Sequence, residues 1–173
     1  MKRPTGTAVI GIGNEFRRDD GVGWAVVSLL RDRAAQGPLP SDTLLAQCDG
    51  DPGRLITLWE NTGLTVLVDA CFPPSAVPGR VHRWCAASGD DLGAATPGRH
   101  STHGLGPAEA LRLAEALGRA PGHLIVYAVE GADRSLGTGL TPAVACAVPR
   151  LARQVEADVE QYSEARARGL GAG

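Results

Sequence analysis

The stretch Gly11-Ile12-Gly13-Asn14-Glu15-Phe16-Arg17-Arg18-Asp19-Asp20-Gly21-Val22-Gly23 constrains this chain more than any other. An apolar run at residues 8–10 leads into it, and Val22, Ala25, Val26, Leu29 and Leu30 follow at helical spacing, so it reads as strand, loop and helix. Two adjacent carboxylates stand where the helix begins. Asp19 or Asp20 can cap free backbone amides and gain from the helix dipole, but a cap requires only one of them. Gly21 and Gly23 leave the first turn bare enough for close approach. Asp20 therefore carries two readings, as a cap and as a functional group.

A chain of 173 residues can bury one core but hardly two, so one domain over residues 1–173 is expected. With aromatics at 4%, aliphatic packing must hold it together. The formal charge of −2, with no Lys/Arg cluster, argues against a phosphate-backbone footprint and hence against nucleic acid as a partner. The start Met1-Lys2-Arg3-Pro4-Thr5-Gly6 lacks the apolar region of a signal peptide. No segment reaches the ~20 apolar residues that a membrane span needs. A cytoplasmic protein without membrane contact is expected. Cys48, Cys71, Cys85 and Cys146 form no Cys-x-x-Cys pair, which predicts small buried thiols rather than a zinc site or a redox pair.

Taken in order, the pattern predicts a strand at 7–12, a helix from Asp20 to about Arg33, a strand at 43–46 and a short helix at 54–59. The β-branched run at 64–69 predicts a strand buried on both faces and closed by Asp69, as in a parallel sheet between helices. Residues 72–79 cannot be regular, 81–84 reads as a strand, and 86–101 as a Gly- and Pro-punctuated loop. A helix at about 107–117, with Leu111, Ala114 and Leu117 inward, precedes a strand at 123–129 closed by Glu130. Thr141 and Pro142 open the last helix. Its stripe of Val144, Val148, Leu151, Val155 and Val159 contains Pro149, which predicts a kink or a break. The tail from about residue 166 is expected to fray. These elements compose an α/β fold: a single-domain three-layer sandwich, with a mostly parallel twisted sheet and helices on both faces.

In such sheets the functional crevice lies beyond the carboxyl ends of the strands. Asp20 follows the first strand, Asp69 ends the third, and His103 lies on the loop entering a helix. Two carboxylates and an imidazole suit a borderline divalent metal such as nickel or zinc with open positions, and equally a general acid/base set. The bland readings are a cap for Asp20, a loop hydrogen bond for Asp69 and a helix N-terminus for His103. A dinucleotide site is disfavoured, because Phe16 fills the third glycine position of the fingerprint that Gly11 and Gly13 begin. No nucleophile elbow, zinc helix or P-loop is present. His82 and His123 read as structural, His100 carries little signal, Glu130 is a weaker candidate, and Arg17 and Arg18 are most simply solvated charges.

Four motifs in order carry a resemblance over about residues 7–159. They are Gly-Ile-Gly-Asn with Asp19-Asp20-Gly21-x-Gly23, the strand ending in Asp69-Ala70, Ser101-Thr102-His103-Gly104-Leu105-Gly106, and Gly139-Leu140-Thr141-Pro142. In them the chain resembles the hydrogenase maturation endopeptidases, which remove the C-terminal extension from the large subunit of nickel-iron hydrogenases. The resemblance implies that Asp20, Asp69 and His103 are the metal-contacting and catalytic trio. It also implies that nickel arrives bound to the precursor, so that the metal acts as a checkpoint for cleavage. One segment departs: where the family commonly shows Asp-Gly-Gly-Thr-x-Gly, this chain has Cys48-Asp49-Gly50-Asp51-Pro52-Gly53, which leaves the roles of Asp49 and Asp51 open. A non-catalytic metallochaperone or docking protein for the same precursor is the alternative, and a self-sufficient metallohydrolase is a third reading.

Overall fold

The computed structural model describes residues 6–87 and 107–170. His100, His103 and the rest of the 101–106 motif lie outside the described residues, as does nearly all of the loop predicted over 86–101. Five strands, β1 (Gly6–Ile12), β2 (Thr43–Cys48), β3 (Thr62–Cys71), β4 (Val81–Ala87) and β5 (His123–Glu130), form one sheet in the order β2-β1-β3-β5-β4. All pairings are parallel except that of β4 with β5, which is antiparallel. β3 sits at the centre between β1 and β5 and is buried from Thr62 to Ala70. This position explains why Val66, Leu67 and Val68 run apolar in succession rather than alternating with polar residues.

Side-chain alternation along the strands feeds two cores. On one face Val9, Val66, Val68 and Ala70 pack with Val22, Val26 and Leu30 of α1 (Val22–Arg33) and with Val144, Val148, Leu151, Val155 and Val159 of α4 (Pro142–Leu170). On the other, Ile10, Ile12 and Leu67 pack with Leu55, Ile56 and Trp59 of α2 (Pro52–Trp59) and with Ala110, Leu111 and Ala114 of α3 (Pro107–Ala116). The expected sandwich, a mostly parallel sheet between helices, is therefore present. By the same alternation Asp69, two residues beyond Leu67, belongs to the α2/α3 face. No described helix is long and apolar enough to cross a membrane.

Several local expectations change. Asp19 and Asp20 precede α1 in a 3-10 turn at Arg18–Gly21, the N-cap position of α1 is Gly21, and the Asp19 carboxylate goes to Ala132, Asp133 and Thr141 instead of to the helix. β3 continues past Asp69 to Cys71, because β5 pairs with it out to Cys71 and Glu130. α2 starts earlier than its apolar pattern indicates, since Asp51 Oδ1 accepts from Arg54 N at 2.7 Å with Pro52 in the first turn. Asp51 is thus a helix cap. Leu117 lies beyond the end of α3 and is 55% exposed, while Ala110 takes the inner position.

Pro149 neither ends nor splits α4, which runs on through it to Leu170, past the point where fraying was expected. A proline inside a helix costs about 3 kcal/mol, whereas each buried aliphatic side chain contributes about 1.5–3 kcal/mol. Val144, Val148, Leu151, Val155 and Val159 are all buried along one stripe, so packing outweighs the lost backbone bond. All four cysteines are free; Cys48 is buried and Cys71 half-buried, but Cys85 and Cys146 are exposed, contrary to the expectation of buried thiols.

Candidate functional site

Backbone contact without intervening side chains brings the first turn of α1 onto the ends of β1 and β3. A Cβ added at Gly23 would lie 2.3 Å from Val68 O and 2.6 Å from Ile12 O, and one at Gly11 would lie 2.2 Å from Gly23 O. Gly13 has φ of 146°, a conformation that L side chains rarely adopt, and a Cβ there would overlap Asp20 O. The glycines flanking the acidic pair therefore serve protein against protein. They press the Arg18–Gly21 turn toward the carboxyl end of β3, against which it packs.

Asp20, on that turn, is 2% exposed, and Asp69, near the carboxyl end of β3, is 6% exposed. Asp69 Oδ1 accepts from Ala70 N at 2.8 Å. Both carboxylates thus lie at the strand-end edge of the sheet, where open α/β folds hold their crevices.

Asp19 is fully buried, and its carboxylate accepts from Ala132 N at 2.8 Å, Asp133 N at 3.0 Å and Thr141 N at 2.7 Å, and from Thr141 Oγ1 at 2.9 Å. Asp19 is therefore spent on backbone donors and a hydroxyl from the 132–141 segment. Thr141 stands at the start of α4, as its carbonyl accepting from Ala145 N shows. Its hydroxyl, however, goes to Asp19.

The remaining candidates have structural partners. Glu130 is buried at the end of β5; Val77 N donates to its Oε2, His82 Nε2 lies 2.6 Å from its Oε1, and Arg80 Nη1 lies 3.7 Å away. It ties the 72–80 connection to the sheet, and His82 is a hydrogen-bonded structural histidine, stacked on Trp84. Burial pushes the Glu130 carboxyl up, but the bonds from His82 and Val77 N and the charge of Arg80 outweigh it and hold the group below the usual range. A folded-state value below the unfolded one stabilises the protein above the unfolded pKa and ceases to do so as pH falls through the folded value. Glu130→Gln should therefore be less stable than the parent at pH 7, with the gap closing as pH drops below the ordinary glutamate value of 4.5. Urea titrations at several pH values measure this, and a gap that persists at low pH contradicts it.

Arg18 is not simply solvated: its Nη1 donates to Thr138 O at 2.9 Å, and its guanidinium fills the space a side chain at Gly137 would need. Asp49 Oδ1 accepts from Asp51 N at 3.2 Å, a local turn at the end of β2. His123 is exposed, its ring edge-on to Tyr162.

Among the described residues no group of three His, Cys, Asp or Glu side chains could hold a metal ion. Asp20 and Asp69 offer two anionic oxygen donors, a set that suits a divalent cation once a third ligand joins. His103, the third residue of the predicted trio, lies outside the described residues.

No family model matches the chain, and no curated protein matches it. Solved structures do. The hydrogenase maturating endopeptidase HybD from Escherichia coli is similar at 23% identity and TM-score 0.75, over 91% of this chain and 94% of that one. An Escherichia coli endopeptidase solved in solution shares 22% identity and TM-score 0.77, over 91% and 94%. The [NiFe] hydrogenase maturation protease HybD from Thermococcus kodakarensis shares 21% identity and TM-score 0.69, over 90% and 99%. At these identities the likeness establishes a common fold, spanning nearly the whole of each chain.

Proposed function

We propose that this chain is an endopeptidase that removes the C-terminal extension of a nickel-iron hydrogenase large-subunit precursor, with Asp20, Asp69 and His103 contacting nickel already held by that precursor. The observation that carries the reading is the pair of buried carboxylates, Asp20 in the turn that follows β1 and Asp69 near the carboxyl end of β3. The fold shared with three proteins named as endopeptidases or maturation proteases supports it. His103 precedes Pro107, the first residue of α3, by four positions in the sequence. The other end of α3 is tied to the opposite edge of the sheet, where Arg119 pairs with Glu60 and Gly122 N donates to Thr62 O. The start of α3 therefore points to the edge where Asp20 and Asp69 lie, and Asp69 shares its face.

In this reading the nickel is part of the substrate. Two carboxylate oxygens and an imidazole nitrogen occupy its open positions and anchor the adjoining peptide segment, and the same carboxylates are the candidates for activating water. A precursor without metal offers no anchor. Discrimination needs little energy, since about 1.4 kcal/mol of differential binding is tenfold.

The test is incubation of the purified protein with nickel-loaded and nickel-free precursor, followed by intact-mass measurement. Loss of the C-terminal tail from the loaded form alone is expected. Equal cleavage of both forms removes the checkpoint, and an unchanged mass in both makes the protein a binding partner or chaperone instead.

A further inference from the structure

We infer that Asp19 is a positioning residue, and that through it the loop at residues 131–141, between β5 and α4, sets the spacing between the turn carrying Asp20 and the strand end carrying Asp69. The reaction served is the one proposed above; the mechanical coupling stands independently of it.

Toward Asp20, the loop holds the turn by its backbone as well as by the carboxylate. Asp19 N donates to Asp133 O at 2.9 Å, Arg18 N to Gly137 O at 3.0 Å, and Gly137 N to Phe16 O at 2.9 Å. Toward Asp69, Gly131 N donates to Cys71 O at 2.9 Å, two residues beyond the acid. The ring of Phe72, next in the chain, occupies the space beside Gly131, where an added Cβ would overlap it, and the Arg134 guanidinium lies 5.5 Å from the ring centroid. The two attachments meet at one point, because the same Cβ position at Gly131 is 3.0 Å from Asp19 Cβ. Phe72, Gly131 and Asp19 thus form a continuous packed contact between the carriers of the two acids.

The chemistry of Asp19 suits this role. Its charge is compensated by three N–H donors and one hydroxyl rather than by a cation, among the described residues. Each oxygen of the carboxylate receives at least one backbone N–H. In Asp19→Asn one of these oxygens becomes an NH2 group facing N–H donors, so either orientation of the amide sets donor against donor at one end. The loop should then detach from the turn while the two cores remain packed.

Cysteine labelling followed residue by residue by mass spectrometry reads this without any precursor. Cys71 is half-buried where the loop meets β3, and Cys48 is buried in the α2/α3 core. In Asp19→Asn, iodoacetamide should modify Cys71 about tenfold faster than in the parent, with Cys48 unchanged, as expected for local rather than global opening. Thr141→Val, which removes only the hydroxyl, should accelerate Cys71 to a lesser degree, and Thr141→Ser, which keeps it, should label like the parent. Should Asp19→Asn not fold, the Thr141 pair decides alone. Parent-like labelling of Cys71 in both Asp19→Asn and Thr141→Val, or acceleration of Cys48 in step with Cys71, overturns the proposal. In the processing assay Asp19→Asn should lower kcat/KM for the precursor about 100-fold, as expected for misplacement by about 1 Å of groups that both anchor and react. A parent protein that cleaves nothing defeats the peptidase reading and leaves the labelling result to judge the coupling by itself.

Discussion

Asp20→Asn and Asp69→Asn should each stop processing of the nickel-loaded precursor, with rates at least about 1,000-fold below the parent, equivalent to about 4 kcal/mol. An amide keeps the size of the carboxylate but removes its charge, and a neutral oxygen is a much weaker partner for a divalent ion. Both residues are buried at the strand-end edge, where water does not screen the lost charge as it does on a surface. Initial rates of tail removal, with melting temperatures on the same samples, separate a lost site from a lost fold. His103→Gln belongs to the same series, because in the proposed site the three groups share one metal ion. Three variants that all process normally would mean that the chemistry lies elsewhere.

Gly23→Ala should destabilise the protein by about 2 kcal/mol or more, although alanine is the better helix former. Exchange of glycine for alanine inside a helix contributes about 1 kcal/mol of stability. Here the new methyl group would meet Val68 O at 2.3 Å, Ile12 O at 2.6 Å and Ile12 N at 2.9 Å. All are main-chain atoms of central strands, which cannot rotate away, and overpacking of this kind costs about 3 kcal/mol or more. The clash therefore outweighs the propensity. Urea unfolding measures the difference, and a variant as stable as the parent would show that α1 can lift from the sheet at no cost. Processing should fall with stability, since the same contact delivers Asp20 to its place.

These two sites differ in how far the sequence announced them. Val66, Leu67 and Val68 declare a buried central strand through their own composition, and Leu111 and Ala114 declare a helix through their spacing. Leu117 broke that pattern, because helical periodicity says nothing about where a helix leaves the layer it packs on. Pro149 misled for a similar reason: its local cost is real, but the buried stripe of α4 outweighs it. The cap of α2 is legible in the sequence, since Asp51-Pro52 is a standard helix opening, whereas the apolar pattern alone starts later because Pro52, Gly53 and Arg54 carry no buried side chain.

By itself, the sequence determined the order and type of the elements and the strand ends at which acidic residues stand, because burial imprints a period of 2 or about 3.6 on neighbouring residues. Only the tertiary structure decided that the Asp19 side chain is committed to holding the frame. Its donors come from Ala132, Asp133 and Thr141, 113 to 122 residues away. Nothing local in the sequence could carry that information, since a carboxylate is selected by the donors that fold onto it.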